Sequence, residues 1–259
     1  MKKVISAIAT LSLLGQPLAG LAAECSAKSG AKATPLLELY TSEGCSSCPP
    51  ADKWFSSLKA DKSFDNTVVP LAFHVDYWDY IGWKDQFASN QFTNRQYWIA
   101  QVNQSRSVYT PQPVLNGKDF RGWHQSGRLQ GALNAQNQPA RANISINNQV
   151  SESGETQVNV EAKTLKPADA GNADVFIAVY ENKLKSIVNA GENSGEELKH
   201  DFVVRTLFGP FKLEADGSLK KAFNLPKNWQ GRDGGVASFV QDRKTGDVLQ
   251  ALKLPFCSS

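Results

Sequence analysis

Two cysteines separated by two serines carry the clearest chemistry in the sequence. Cys45 and Cys48 follow a short apolar run, residues 36–40, and come immediately before Pro49 and Pro50. Proline is tolerated in the first turn of a helix, where backbone N–H groups have no intrahelical acceptor. The CxxC is therefore predicted at a helix N-terminus, where the helix dipole favours a thiolate. The spacing suits reversible dithiol chemistry, with Cys45 as the more exposed nucleophile and Cys48 as the buried resolving thiol.

The predicted order of strand, CxxC and helix resembles the active-site region of the thioredoxin superfamily. Trp54, Phe55 and Leu58 recur at helical spacing after the prolines, which indicates an amphipathic helix that packs on a sheet. The longer segment TSEGCSSCPPAD, together with the later segments HVDYWDYIGW and YTPQPVLNG, also resembles a family of secreted bacterial proteins of unknown function. The first resemblance implies a thioredoxin-like fold and thiol-disulfide exchange. The second implies a fold without an activity.

A second strand and a second helix are expected after the CxxC helix. Residues 67–75 form a continuous apolar run, which is typical of a buried parallel strand. Thr93 and Gln96 have the spacing of a capping box, which predicts that a helix begins at Asn94 and ends near Ser105. These elements complete a βαβ unit with a longer crossover.

The Asn-Gly pair at 116–117 is the strongest hairpin signal in the sequence. The hairpin is expected to complete a four-stranded mixed sheet, and residues 127–136 are expected to form a last helix. An α/β domain is therefore predicted for residues 34–140, and the superfamily resemblance implies that it is thioredoxin-like. The same resemblance implies that Pro111 is a cis-proline facing the CxxC, whereas an ordinary trans proline is the alternative.

From Arg141 onward the hydrophobic pattern changes to a period of two residues, as in ANISIN and TQVNVEA. This alternation is typical of strands with one buried face. Seven or so short strands separated by turns predict an all-β, sandwich-like domain over residues 141–259.

Four residues are candidates for roles around the dithiol. Glu38 lies in the first strand, near where thioredoxins carry a buried acid, so the resemblance implies proton relay to the second cysteine. The alternative is a residue at the sheet edge that faces water. Tyr77, Trp78 and Trp83 follow the second strand among several acidic residues. They are interpreted either as a substrate groove beside the dithiol or as rings that cover the sheet.

The N-terminal residues 1–23 have the pattern of a secretory signal peptide: Lys2 and Lys3, an apolar core, then small residues up to Ala23. We therefore expect a periplasmic or secreted protein whose mature chain has no membrane span. Disulfides persist in oxidising compartments. Cys25 and Cys257, near the two ends of the mature chain, are expected to form a structural disulfide, with two unpaired thiols as the alternative.

The formal net charge of the 259-residue chain is +3, and removal of Lys2 and Lys3 with the signal peptide leaves +1. A balance so close to neutral argues against a nucleic-acid partner. No Ser-His-Asp order, phosphate-binding loop or paired-carboxylate motif is present, so a hydrolase is not indicated. A metal site built from His74 and the two cysteines is conceivable, but the one methionine is Met1, and no metal or other cofactor is expected.

Two classes of function remain open. The first is an exported thiol-disulfide oxidoreductase that acts on protein or small-molecule thiols and disulfides, with a membrane redox partner as an open alternative for electron supply. The second is a non-catalytic periplasmic binding or metal-handling module with the same fold. Its CxxC would be a structural disulfide or a metal clamp.

Overall fold

The computed structural model describes residues 24–151, 155–225, 228 and 232–257. The expected signal peptide lies outside these residues. The described strands are β1 (Glu24–Lys28), β2 (Leu36–Thr41), β3 (Val69–His74), β4 (Gln112–Leu115), β5 (Lys118–Asp119), β6 (Ala142–Val150), β7 (Thr156–Thr164), β8 (Ala173–Glu181), β9 (Leu184–Ile187), β10 (Glu197–His200), β11 (Val203–Lys212), β12 (Ser218–Leu225), β13 (Gly234–Asp242) and β14 (Val248–Pro255). The described helices are α1 (Pro49–Ala60), α2 (Asn90–Val102), α3 (Arg128–Ala135) and the single turn α4 (Pro167–Ala170).

The first part of the chain alternates strands and helices around β2. β2 pairs in parallel with β3 and antiparallel with β4, and β5 follows β4 as a hairpin, so the local strand order is β3-β2-β4-β5. All six residues of β2 and all six of β3 are buried. Helix α1 begins with two prolines and packs Phe55 and Leu58 into the same core. The elements predicted around the CxxC are present.

The sheet does not end at β3. Its full order is β14-β13-β8-β11-β3-β2-β4-β5, because β11 lies parallel to β3 where Val203 pairs with Ala72. The N–H of Ala72 also donates to the carbonyl of Phe202 at 2.8 Å. The expectation of a four-stranded sheet is therefore wrong: eight strands drawn from both halves of the chain form one mixed sheet. A buried edge strand needs hydrogen-bond partners, and β11 supplies them.

A second sheet, with the order β1-β6-β7-β12, packs against the part of the large sheet formed by β8, β13 and β14. In β6 and β7 buried and more exposed residues alternate, so one face of each strand supplies Ile146 and Val160 to the shared core. The C-terminal part is thus a two-layer arrangement of sheets. β1 joins it from the other end of the chain, and a disulfide links Cys25 in β1 to Cys257.

Helix α2 begins one turn before the predicted start. Ser89 is the N-cap, and its hydroxyl accepts a hydrogen bond from the N–H of Gln91 at 3.2 Å. Thr93, the predicted cap, lies inside the helix and donates to the carboxylate of Asp76 at 2.5 Å. The capping-box prediction is wrong because this tertiary hydrogen bond uses the hydroxyl, while Ser89 serves as an equally good cap. No helix within the described ranges is long and apolar enough to cross a membrane.

Candidate dithiol site

Cys45 and Cys48 lie between the end of β2 and the start of α1, and they form a disulfide. Cys48 is the N-cap residue of α1. Cys45 retains 2% of its exposure and Cys48 none. Cys45 is thus slightly the more exposed of the two, but both cysteines are buried in this oxidised form. The cause lies in segments far along the chain that cover the disulfide.

One of these segments connects β9 to β10 and is called here the cover segment, residues 188–196. The side-chain amide of Asn193 donates to the carbonyl of Glu43 at 2.7 Å and to the carbonyl of Cys45 at 3.1 Å. The carboxylate of Glu192 accepts the N–H of Ser46 at 3.1 Å. The cover segment is therefore hydrogen-bonded to the CxxC loop on both sides of Cys45. Neither residue had a pattern that predicted this contact.

Trp78 covers another side of the loop. Its indole N–H donates to the hydroxyl of Thr110 at 2.7 Å, and the Thr110–Pro111 peptide bond is cis. A Cβ built on Gly44 would lie 3.1 Å from the Cβ of Trp78, so the residue before Cys45 is in close contact with this side chain. Trp78 thus connects the CxxC loop to the segment that precedes β4.

The other two aromatic candidates have different surroundings. The indole N–H of Trp83 donates to the carboxylate of Glu43 at 2.8 Å. Tyr77 packs against the main hydrophobic core, and burial raises the pKa of its hydroxyl to about 12. Trp78 and Trp83 therefore contact the CxxC loop, whereas Tyr77 mainly packs against the hydrophobic core.

Behind the disulfide lies a group of buried ionisable side chains, called here the acid–imidazole cluster: Glu43, Asp52, His74, Asp85 and His200. His200 Nε2 is 3.2 Å from Glu43 Oε1, and its Nδ1 is 3.9 Å from Asp52 Oδ2. His74 Nδ1 is 2.6 Å from Asp85 Oδ2, and the two imidazole centroids are 4.9 Å apart. The cluster joins β3, α1 and β10 beneath the CxxC loop.

Burial and close charges act against each other in this cluster. Burial lowers the pKa of His74, but Asp85 more than offsets that effect, so the pKa lies above its usual value. Burial raises the pKa of Asp85, but His74 and backbone N–H donors outweigh it and hold the pKa below its usual value. Both shifts favour the ionised form of the pair. For Asp52 burial dominates, and its pKa is raised despite the two histidines.

Asp52 is the member of the cluster that lies on the same helix as the CxxC. It lies four residues after Cys48 in α1, and its N–H donates to the carbonyl of Cys48 at 3.1 Å. Residues four apart share one helix face, so the Asp52 carboxyl lies on the face of α1 that carries Cys48. Reduction of a disulfide consumes two protons, and a buried acid with a raised pKa can supply one.

Glu38 lies elsewhere. Its carboxylate accepts from Arg95 Nε at 2.6 Å and from the hydroxyl of Tyr40 at 2.9 Å, on the side of the sheet that faces α2. Glu38 has no exposed surface, so the alternative of a sheet-edge residue facing water is wrong. The buried guanidinium of Arg95 pairs with this carboxylate and offsets the cost of burying its charge.

In the described parts of the chain, no three His, Cys, Asp or Glu side chains are arranged to hold a metal ion. His74, which was considered as a ligand together with the cysteines, instead forms the ion pair with Asp85. The sequence does not predict the acid–imidazole cluster, because His74 and His200 lie in separate strands and no motif relates their positions.

Two solved structures are similar to this chain. The crystal structure of protein AGR_C_4864 from Agrobacterium tumefaciens is 26% identical, with a TM-score of 0.59, over 86% of this chain and 94% of that one. HBP35 of Porphyromonas gingivalis is 14% identical, with a TM-score of 0.60, over 87% of this chain and 76% of that one, which is a likeness of fold alone.

No curated protein matches the sequence. The sequence matches the family described as "Protein of unknown function (DUF1223)" over residues 36–241, which include the CxxC, the acid–imidazole cluster and the cover segment. The chain belongs to the DUF1223 family.

Proposed function

We propose that this protein is an exported thiol-disulfide oxidoreductase with a thioredoxin-like arrangement of β2, α1, β3, α2, β4 and β5. The observation that carries the proposal is the Cys45–Cys48 disulfide at the N-terminus of α1, in the loop that follows the buried strand β2. The strand order β3-β2-β4-β5 and the Pro111 segment before β4 support the same interpretation. The signal-peptide pattern supports a periplasmic or secreted location.

The reaction begins with an incoming thiolate that attacks Cys45 Sγ. The Cys45–Cys48 bond breaks, its electron pair moves to Cys48 Sγ, and a mixed disulfide forms at Cys45. A second thiolate attacks the substrate sulfur of this mixed disulfide and releases Cys45 as a thiolate. Two thiols are thereby oxidised to one disulfide, and the protein gains two electrons. In the reverse direction Cys45 attacks a substrate disulfide, and Cys48 resolves the intermediate.

Asp52 acts in this scheme as the proton donor to the Cys48 thiolate that leaves. Its burial keeps the carboxyl protonated to a higher pH than a solvent-exposed aspartate, so the donor is available closer to neutral pH. The Asp85 and His74 pair, whose pKa shifts both favour ionisation, provides charges of opposite sign within the cluster when it is ionised. These roles divide the cluster into one proton donor and one ion pair.

Trapping of mixed disulfides tests the proposal. The Cys48→Ser variant should form covalent complexes with periplasmic proteins that contain a disulfide or with a labelled small disulfide, because the Cys45 thiolate attacks the disulfide and no second cysteine resolves the product, whereas Cys45→Ser should form none. Circular dichroism of both variants checks that they fold. If the wild-type protein neither reduces nor oxidises a model disulfide and Cys48→Ser traps nothing, the enzyme proposal fails.

The burial of both sulfurs favours a second candidate, a non-catalytic module in which Cys45–Cys48 is a structural disulfide. Structural disulfides have low reduction potentials and resist the glutathione pool. Equilibration with glutathione buffers separates the two: a disulfide that stays oxidised at about −300 mV supports the structural role, and one that is reduced in the range from about −270 to −120 mV supports catalysis.

A test of Asp52 follows from its raised pKa. With Asp52→Asn, the rate of disulfide reduction should lose the decline that sets in as pH rises through the pKa of this carboxyl. Asp61→Asn, at the exposed C-terminal end of the same helix, is the matched control and should leave the pH profile unchanged. Identical pH profiles for wild type and Asp52→Asn would contradict the proton-donor role.

A further inference from the structure

The cover segment sets which substrates can reach the dithiol. We infer that residues 188–196 restrict the Cys45–Cys48 disulfide to low-molecular-weight thiols and that Glu192 favours those that carry a positive charge. This inference rests on the proposed redox function and names its substrate class. Thiol-disulfide exchange needs access to Cys45 Sγ, but Cys45 is only 2% exposed.

Steric access is controlled by few contacts. Asn193 is buried, and its amide bonds two backbone carbonyls, those of Glu43 and Cys45. Gly191 lies against Trp83, where a Cβ would be 3.2 Å from the Trp83 Cβ, so the cover segment is in close contact with the loop that carries Trp83. We therefore expect a small thiol to reach Cys45 more readily than a folded protein, whose approach requires more of these contacts to break.

The segment also has a charge. Glu192 and Glu196 lie in it, and it contains no lysine or arginine. Both are exposed, but only Glu192 contacts the CxxC loop, through the N–H of Ser46, and this hydrogen bond lowers the pKa of its carboxyl. The carboxylate is therefore ionised at neutral pH and adjacent to the residue after Cys45. An approaching thiolate that also carries a carboxylate is repelled, and one with an ammonium group is attracted.

The covalent step is attack of the small thiolate on Cys45 Sγ, with the thiol as reductant. Two molecules of thiol become one disulfide, Cys45 and Cys48 take up two electrons, and the sulfurs take up two protons as they become thiols. Cysteamine and 3-mercaptopropionate are suitable probes, because they are similar in size and have opposite charges. Reduced thioredoxin serves as a folded protein dithiol.

The experiment measures the rate at which each probe reduces the oxidised protein, with alkylation and mass spectrometry of Cys45 and Cys48 as the readout. Rates are expressed per concentration of thiolate. At low ionic strength the wild type should react about fivefold faster with cysteamine than with 3-mercaptopropionate, and 0.5 M salt should reduce the ratio. Glu192→Gln should bring the ratio close to one. Glu196→Gln, the same charge change without the Ser46 contact, should retain most of the preference.

Asn193→Ala tests the steric part. It should raise the rate with reduced thioredoxin about tenfold, because two hydrogen bonds of the cover segment are lost, while the rate with cysteamine changes less. Asn94→Ala, on helix α2, is the matched control and should change neither rate. If Asn193→Ala does not fold, the steric part is tested by the wild-type rates with reduced thioredoxin and cysteamine. Glu192→Lys, at an exposed position, is a second variant for the charge part and should reverse the charge preference.

The outcomes separate the two proposals. If no probe reduces Cys45–Cys48 in any variant, the redox function itself fails. If small thiols react but the wild type shows no charge preference, or if Glu192→Gln leaves it unchanged, the inference about Glu192 is wrong and the redox function stands. If reduced thioredoxin reacts with the wild type as fast as cysteamine does, the steric restriction is wrong.

Discussion

The Cys25–Cys257 disulfide allows a quantitative prediction, because it links residues 232 positions apart in the sequence. The perturbation is the double substitution Cys25→Ser and Cys257→Ser. In the native structure β1, which carries Cys25, remains paired with β6 over five residues, so the folded state keeps its hydrogen bonds. The main effect of the substitution is therefore on the unfolded chain, which gains the freedom that the cross-link removes.

The magnitude follows from the length of the closed loop. In the chain-entropy description a loop of this size corresponds to about 5.5 kcal/mol at 25 °C. The Cys45–Cys48 disulfide, with a separation of three residues, corresponds to about 1.6 kcal/mol. The double variant of the terminal pair should therefore lose about 4 kcal/mol more than the matched double variant Cys45→Ser and Cys48→Ser.

Guanidinium unfolding of the wild type and of both double variants, followed by circular dichroism without reductant, measures these differences. The slope of free energy against denaturant should rise when a cross-link is removed, because the unfolded chain becomes less compact. Equal losses in the two double variants, or a loss below about 1 kcal/mol for the terminal pair, would refute the argument from loop length.

Two further predictions concern the packing around the large sheet. Arg95→Met should destabilise the protein by about 3 to 5 kcal/mol in thermal or chemical unfolding, because it leaves the buried carboxylate of Glu38 without its ion-pair partner. Lys118→Met, which removes an exposed ion pair, is the control and should cost at most about 1 kcal/mol. Comparable losses in the two variants would contradict the assignment of a buried pair. Gly117→Ala should lower the free energy of unfolding by about 2 kcal/mol more than Gly127→Ala does. Both glycines have positive φ, but a Cβ at position 117 would lie 1.9 Å from a backbone oxygen, whereas nothing lies within 4 Å of a Cβ at position 127. Equal effects of the two alanines would show that the close approach is relieved at no cost.

The elements around the dithiol could be predicted because each depends on residues a few positions apart. The two prolines after Cys48 indicate the start of α1, and the Asn-Gly pair at 116–117 indicates the hairpin, where both residues have positive φ. The apolar runs of β2 and β3 are continuous because both strands are buried on both faces. These features need no knowledge of the rest of the chain.

The remaining features depend on contacts between distant segments. Glu43 meets His200 across 157 residues, and Asn193 reaches the Cys45 carbonyl across 148. No local pattern encodes such distances, so the cover segment and the acid–imidazole cluster were not predicted. The pairing of β11 with β3 was missed for a related reason: alternation in β11 indicates a strand but does not name its neighbour.

If the chain is exported, as we propose, the position of β1 in the second sheet has a consequence for the order in which the cysteines are oxidised. Cys25 would leave the translocation channel first, followed closely by Cys45 and Cys48, whereas Cys257 and the β6 partner of β1 would follow much later. Oxidation in order of appearance would join Cys25 to Cys45, because these thiols are near neighbours in the emerging chain. Native pairing therefore requires either that Cys45 and Cys48 pair with each other first or that a wrong bond to Cys25 is exchanged once the last strand arrives. Two cysteines separated by only two residues close a loop fastest of all the combinations, so early pairing of Cys45 with Cys48 would leave Cys25 reduced until Cys257 has been exported.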